Sequence, residues 1–542
     1  MVVKRVASII FLLIIVFEQS YAVDFFEQYR KSWMQKAVDS TPKLHETIVR
    51  PVSMVTAIAD KNAFQGWKYL KKDGLEDLPK LNYKEVRELT FDFGMHVTGY
   101  FSFSTRIIRR CQDAPVRFRL TFGELPAEIN TPLEPWKGTL SRAWMQDEII
   151  TLDMIGNAYT LPRRMAFRYV KVELLGASSD FDFAISDVTC KAVSSAGRVQ
   201  TTLLRTCPPD IANINKVSVA TLGECMQTVY EDGPKRDRRL WAGDMYLESL
   251  ANRYSYKNFN LTKHCLYIFA ALTDSLGRVL SNCFEWPYYH AQPDSYCLNY
   301  SLLWTSTLLE YLKDTGDIAT ANDLWPVALR QIELALQSVG KDYVYHPAHW
   351  LFFDHKADLD CSASAHAAVL FGLRQTCELA NMLRRDKEVF VYLSFISRME
   401  QVALANFYDE LDGIFVSGPQ RQVSVLSQAW MILGGVVKGK LAQRALRSSL
   451  DKPDSFQPAT PYAMHFVLQA MLDCGMKKEA RQLLVSYWGG MVEKGADTFW
   501  EVYVPTDDTY SPYHFFPLNS ACHAWSCTPV YFIHNYADVF QE

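Results

Sequence analysis

Two textures in one chain predict a two-part architecture, an N-terminal antiparallel β-sandwich followed by an all-α (α/α)6 toroid. From about Arg87 to Ser195 short runs alternate apolar and polar residues with period two and are rich in β-branched and aromatic types. After Cys207-Pro-Pro the pattern becomes that of amphipathic helices separated by short Gly, Pro, Asp or Asn breaks. A chain of 542 residues is also too long for one core and suggests two or three units of ~100–200 residues.

Residues 1–22 read as a secretory signal peptide. Lys4 and Arg5 precede the apolar run Ala7 to Phe17, and Ser20-Tyr21-Ala22 supplies small residues before a cut. The run is too short for a membrane span, and nothing later approaches ~18 consecutive apolar residues, so no integral span is expected. The mature chain is therefore expected to be soluble and either secreted or periplasmic. Residues 23–82 read as a mixed segment that packs against one of the two main units.

Residues 83–200 carry the sandwich. Its strands are announced by Leu89-Thr-Phe-Asp-Phe-Gly94, Gly99-Tyr-Phe-Ser-Phe-Ser104, Val116-Arg-Phe-Arg-Leu-Thr-Phe122, Ile149-Ile-Thr-Leu152 and Arg168-Tyr-Val-Lys-Val-Glu-Leu174. Residues 201–542 carry about twelve helical stretches, the first near Ile211 to Tyr230 and the last near Ser520 to Tyr536. An even number with alternating short and long connections predicts six antiparallel hairpins. The lack of a strict repeat favours a closed ring over an open solenoid. The chain stops soon after the last stretch, so no further β domain is expected behind the ring.

Composition narrows the function. The formal net charge is −4, from 56 basic and 60 acidic residues spread evenly, which leaves no electrostatic footprint for a nucleic-acid backbone. Twelve cysteines at irregular spacings match no metal-ligand or redox pattern, so no metal, no cofactor and at most a few disulfides are expected. Aromatic residues make up 13%, enough to furnish both a large core and platforms for sugar rings.

One segment is locally dense in charge, Asp232-Gly-Pro-Lys-Arg-Asp-Arg-Arg-Leu-Trp-Ala-Gly-Asp244, on the connection between the first two helices. Helix capping would explain Asp244 alone. Asp232, Asp237 and Asp244, interleaved with Arg236, Arg238 and Arg239 and closed by Trp241, are instead the residue types that meet sugar hydroxyls and acid/base chemistry. A second carboxylate loop, Gly495 to Tyr503 with Glu501 between aromatics, joins the last two helices. Closure of a ring would bring the two loops together. Two facing carboxyls can protonate a glycosidic oxygen and activate a nucleophile. Glu285 and Asp294 are further carboxylates near the same rim.

The segment Asp232 to Asp244 resembles the signature of the α-L-rhamnosidases of glycoside hydrolase family 78. Thr498-Phe-Trp-Glu501 is similar to the loop with that family's general base, Ser520-Ala-Cys-His-Ala-Trp-Ser526 to its last barrel helix, and Met165-Ala-Phe-Arg-Tyr-Val-Lys-Val172 to a sandwich strand. The resemblance implies Asp237 as general acid, Glu501 as the base that activates water with inversion, and Asp232, Arg236, Asp244 and His523 as partners of the sugar's hydroxyls. It implies Trp241, Trp286 and Trp500 as apolar walls. The chain departs from the pattern where relatives have Glu, or an Asp-Glu pair, against Asp237, and where Asp354-His355 stands for Asp-Trp. The function expected is release of terminal α-L-rhamnose from a polysaccharide or glycoside, with a rhamnose-containing glycan as partner. The alternatives are another glycosidase on the same fold and a non-catalytic carbohydrate-binding relative.

Overall fold

The computed structural model describes residues 24–72 and 74–542, so the leader expected at residues 1–22 lies outside the described residues. Nine strands form one antiparallel sheet: β1 (His45–Val49), β2 (Ser53–Ala59), β3 (Trp67–Lys72), β4 (Glu88–Arg109), β5 (Val116–Gly123), β6 (Asp147–Leu152), β7 (Ala158–Thr160), β8 (Met165–Gly176) and β9 (Asp182–Ser194). Its main path runs β1-β9-β4-β8-β5-β6. Strand β4 is the reason one hydrogen-bonded sheet makes two layers. At 22 residues it is several times the usual strand length, and its register shifts between Asp92 and Val97. Residues Glu88 to Gly99 pair with β8, whereas Gly99 to Arg109 pair with β9. The layers meet through phenylalanines: Phe101 contacts Phe122 at 5.3 Å and Phe103 contacts Phe118 at 5.4 Å, all four buried. Period-two sequence became a sandwich because these inward rings exclude water from both layers.

The segment before β4 is shared between the two units rather than given to one. Helix α1 (Glu27–Asp39) buries Phe26, Trp33 and Ala37 in the helical unit, while β1 to β3 join the sheet. The α1 anchor is specific, since Arg30 donates to the carbonyls of Ala271 and Asp274 at 2.8 and 3.0 Å.

The helical unit consists of six outer-inner pairs: α2 (Pro209–Cys225) with α3 (Ala242–Arg253), α4 (Phe259–Ala271) with α5 (Leu298–Thr315), α6 (Ile318–Leu336) with α7 (Ser362–Met382), α8 (Tyr392–Phe407) with α9 (Val425–Leu433), α10 (Gly439–Asp451) with α11 (Pro461–Asp473), and α12 (Lys477–Glu493) with α13 (Pro529–Asn535). The inner ring closes: α3 touches α5, α5 touches α7, α7 touches α9 and α9 touches α11, His465 of α11 packs on Phe532 of α13 at 5.0 Å, and α13 returns to α3, while α12 packs on α2 outside it. Sequence separates the rings. Ala242 to Asn252 of α3 are all buried, as an inner helix surrounded by others requires, whereas α10 buries only Ala442, Ala445, Leu446 and Ser449. Helix starts are local decisions: Asp317, Ser424 and Thr460 cap α6, α9 and α11, and prolines open α2, α11 and α13.

Connections from outer to inner helix are long, and those from inner to outer are short. The long ones gather at the end of the ring where inner helices begin. Two boundaries differ from the sequence reading. Helix α2 stops at Cys225, and α13 starts only at Pro529, so the Ser520 to Ser526 segment is a loop ending in a single tight turn. Its backbone is occupied by other loops, with Ser520 O accepting from Glu501 N at 2.9 Å and Ala524 N donating to Asp232 O at 2.7 Å, which leaves those groups unavailable to a helix.

Candidate active site

Four of the long connections, or the first turns of the inner helices they lead into, contribute to one cavity of ≈ 320 Å³ at that end of the ring. The α2–α3 connection gives Asp232, Arg236, Asp237, Arg239 and Trp241, and the first turn of α3 gives Asp244. The α4–α5 connection and first turn of α5 give Gln292 and Tyr300, and the α6–α7 connection gives Trp350, Phe352 and His355. The α12–α13 connection gives Glu501, Tyr513, His523 and Trp525. The sandwich closes the remaining side with Leu140 and Trp144, from the excursion between β5 and β6.

Local sequence explains the tight joints. Gly243 has no Cβ because one would stand 2.3 Å from the Tyr300 ring, so glycine lets the cavity wall lie against α3. Asp237 and Arg238 both adopt left-handed backbone, with φ of 63° and 54°, a conformation that costs ~1–3 kcal/mol per non-glycine residue and recurs where a surrounding frame enforces it. The frame here is Lys235. Its buried ammonium donates to Asn519 O at 2.6 Å and pairs with Glu124 and Glu128 of the sandwich, each at 3.2 Å. Glu124 also meets His96 at 3.0 Å, and accepts from Ala521 N. A single buried ionic cluster thus ties the Asp237 loop, the loop behind Glu501 and the β domain together. Removing one partner of such a cluster typically costs ~3–5 kcal/mol.

Arg236 organises the carboxyls. Its Nη2 donates to Glu501 Oε1 at 2.5 Å, and its Nη1 stands 3.4 Å from Asp237 Oδ1. Tyr513 OH donates to the same Glu501 oxygen at 2.5 Å, and Ser520 N donates to Oε2 at 2.9 Å. Burial opposes a charge on Glu501, yet the Arg236 guanidinium outweighs it and holds the carboxyl well below the usual range. Asp232 and Asp244 go the other way: burial first, then the neighbouring carboxylates, push both well above theirs. Asp244 is not a helix cap, because Trp241 occupies the N-cap position and Asp244 Oδ1 has no hydrogen-bond partner. His523 lies between the two, 3.9 Å from Asp232 and 3.8 Å from Asp244, and burial lowers its pKa to about 3, so it is a neutral imidazole. His355 is lowered to about 4 by burial and stands 3.8 Å from Glu501.

The structure therefore brings together Asp237, Glu501, Asp232, Arg236, Trp241, Asp244 and His523. Two tryptophans expected as walls lie elsewhere. Trp500 is buried against Phe64, ring centroids 4.3 Å apart, on the side of the loop away from the cavity. Trp286 is 84% exposed on the α4–α5 connection and does not line the cavity. Glu285 and Asp294 do not line it either, and Glu285 instead accepts from Thr228 Oγ1 at 2.7 Å. The apolar walls are Trp241, Tyr300, Phe352 and Trp525, with His523 packed on Trp525 at 4.1 Å. Sequence reasoning missed Tyr513, Tyr300, Phe352, Trp525 and the sandwich's Trp144. His355 carried a signal, as part of the departure at Asp354-His355, and so did Trp525, inside the Ser520 to Ser526 segment.

Among the described residues no group of three or more His, Cys, Asp or Glu side chains could hold a metal ion, and no helix is long and apolar enough to cross a membrane. All twelve cysteines are free thiols.

Comparison with known proteins gives the same picture. Residues 51–192 match the glycosyl hydrolase family 78 alpha-rhamnosidase N-terminal domain, and residues 199–537 match the bacterial alpha-L-rhamnosidase 6 hairpin glycosidase domain. No curated protein sequence gives a significant match. A rhamnosidase from Klebsiella oxytoca, solved with rhamnose bound, is 35% identical and superposes with a TM-score of 0.90 over 94% of this chain and 99% of its own. A family 78 rhamnosidase of Bacillus sp. GL1 shares the fold at 20% identity and a TM-score of 0.67, over 82% of this chain and 46% of that one. An α-L-rhamnosidase from Streptomyces avermitilis shares it at 16% and 0.63, over 91% and 44%. Sandwich and closed six-hairpin ring agree with these matches: the chain belongs to the α-L-rhamnosidases of glycoside hydrolase family 78.

Proposed function

We propose that the protein is an inverting glycosidase that removes terminal α-L-rhamnose from a glycan or glycoside. The observation that carries this reading is the single guanidinium of Arg236 in contact with both Asp237 and Glu501. One guanidinium spans only a few ångströms, so the two carboxyls belong to one cavity; inversion needs them ~6.5–9.5 Å apart with a water molecule between. Glu501, kept charged, accepts a proton from that water as its oxygen attacks the anomeric carbon. Asp237 delivers a proton to the departing oxygen, and the C–O bond breaks on the face opposite the attack.

The cavity's other groups suit a 6-deoxy sugar. Asp232, Asp244 and neutral His523 offer acceptors and donors to ring hydroxyls, and Asp244 Oδ1 and His523 Nδ1 are both buried without a hydrogen-bond partner in the protein. Trp241, Tyr300, Phe352 and Trp525 present apolar surface to a methyl group. The Klebsiella relative binds rhamnose, which supports the same choice for this chain. The leader-like residues 1–22 add the proposal that the enzyme acts outside the cytoplasm, which cell fractionation of the full-length protein tests.

The deciding experiment is NMR of the first-formed product from an aryl α-L-rhamnoside and from a rhamnose-bearing oligosaccharide. Inversion gives β-L-rhamnose first. Initial appearance of the α anomer removes the mechanism. Release of a different sugar points to another glycosidase, and sugar binding without turnover points to a non-catalytic relative.

A further inference from the structure

An aromatic ledge leads away from the mouth of the cavity along the α4–α5 connection. It begins at Arg239, a cavity-lining side chain whose guanidinium lies 5.9 Å from the Trp144 ring and 4.5 Å from the Phe284 ring. Phe284 stacks on His290 with centroids 4.7 Å apart and 6° between planes, and His290 packs on Tyr288 at 5.0 Å and 47°. Tyr288 is 69% exposed and Trp286, two residues before it, 84%.

The hairpin that carries these rings is braced, so their exposure is not the accident of a loose tip. Cys283 and Phe284 pair with Ala291 and His290, Leu240 pairs with Cys283 on the other edge, and Thr228 bonds Glu285 at 2.7 Å. Both outer contacts tie it to the α2–α3 connection that bears Asp237. Leaving a large apolar ring in water forgoes the gain of burying it. Two such rings, two residues apart on a braced hairpin next to a substrate cavity, mark a contact surface. The cavity itself is closed around Glu501 and His523, so whatever is attached to a bound terminal sugar must extend through its mouth.

We propose that this ledge is the leaving-group subsite, and that its occupant is carbohydrate: the sugar rings next to the scissile bond, stacking their C–H faces on Tyr288 and Trp286. The inference rests on the reading of the cavity as the site of the terminal rhamnose. Successive tilted rings along the ledge suit successive pyranose rings, which are themselves tilted at each linkage, better than one flat polyphenol. Arg239 at the root of the ledge offers donors to hydroxyls of the first of those rings.

The test compares kcat and KM of the wild type with Trp286→Ala and Tyr288→Ala on three substrates: an aryl α-L-rhamnoside, a rhamnosylated oligosaccharide of three or more sugars, and a polyphenol rhamnoside. In each variant KM for the oligosaccharide is expected to rise about fivefold to tenfold, as loss of one aromatic stack allows, with kcat and the aryl rhamnoside unchanged. A loss confined to the polyphenol rhamnoside overturns the carbohydrate occupant. Equal effects on all three substrates, or none, overturn the ledge. A concentration-dependent dimer lost in Trp286→Ala, without any KM effect, assigns the face to a second copy of the chain and also overturns it. Failure of the ledge leaves wild-type turnover of the aryl rhamnoside intact, whereas absence of rhamnose release from all three substrates overturns the functional reading beneath it.

Discussion

Glu501 and Asp237 share Arg236 and are otherwise placed in opposite surroundings. Glu501 is 1% exposed and accepts from three donors, Arg236, Tyr513 and the Ser520 amide. Asp237 keeps 17% of its side-chain surface, makes only the 3.4 Å contact to Arg236, and sits on left-handed backbone at the tip of its loop. The difference teaches how a fold divides two chemically similar groups between two tasks. A proposed base has to stay charged inside a dry cavity, and only fixed donors accomplish that. A proposed acid has to lose a proton and regain it at every turnover, so it needs access to solvent and few permanent partners.

The comparison breaks most visibly at the buried member. Glu501→Gln is expected to lower kcat on the order of 10⁴-fold, with rhamnose binding retained in calorimetry. A loss below tenfold would remove Glu501 from the reaction. Asp237→Asn is expected to cost on the order of 10³-fold on a sugar leaving group but about tenfold on an activated aryl rhamnoside, whose phenolate departs without protonation. Equal losses on both substrates would sink the acid assignment.

Arg236→Gln sharpens the contrast through pH. Arg236 holds the Glu501 carboxyl down, and the charged form is the one proposed to work, so activity persists to low pH in the wild type. Without Arg236 the carboxyl rises under burial. The acid limb of the kcat/KM profile is then expected to move up by at least about one pH unit, alongside a loss of about 10²-fold at neutral pH. An unmoved limb would mean that Arg236 does not set the charge of Glu501.

The smallest effect lies in the ledge hairpin. Burial raises Glu285 to about 7, so folding favours its protonated form. Its stabilising contribution is full below the ordinary carboxylate pKa of 4.5 and is lost as pH rises through about 7. Glu285→Gln should flatten the decline of unfolding free energy between those values, read by denaturant melts, by on the order of 3 kcal/mol across the window. Parallel curves would show that Glu285 does not titrate there.

The cavity also shows why some residues were legible in advance and others were not. The Asp232 to Asp244 run places several site residues on one loop, and Glu501 sits in a recognisable segment, so both were visible as local patterns. Tyr513 comes from the irregular 35-residue path between α12 and α13, which has no period to read, and Trp525, though inside the recognised Ser520 to Ser526 segment, reads as part of a helix where the structure has a loop. Trp144 belongs to a sandwich excursion whose Leu133, Trp136 and Leu140 pack with Phe515 and Leu518, a contact between distant parts of the chain. Trp286 and Trp500 show the reverse error. An aromatic residue beside a catalytic segment is as able to pack outward or stand in water as to line a cavity, and residue type alone does not choose.

The sequence by itself determined what local chemistry controls: the period-two strands, the amphipathic helices with their Asp, Ser, Thr and Pro starts, and the carboxylate and guanidinium groups available for catalysis. Tertiary structure decided which of those groups share a cavity and what charge each carries. The inner ring closes only when α13 packs on α3, and that closure brings Arg236 to Glu501 across 265 residues of chain. Helix propensity and residue type act over a few bonds. Burial and the electrostatic field act through space, and only the packed ring sets them.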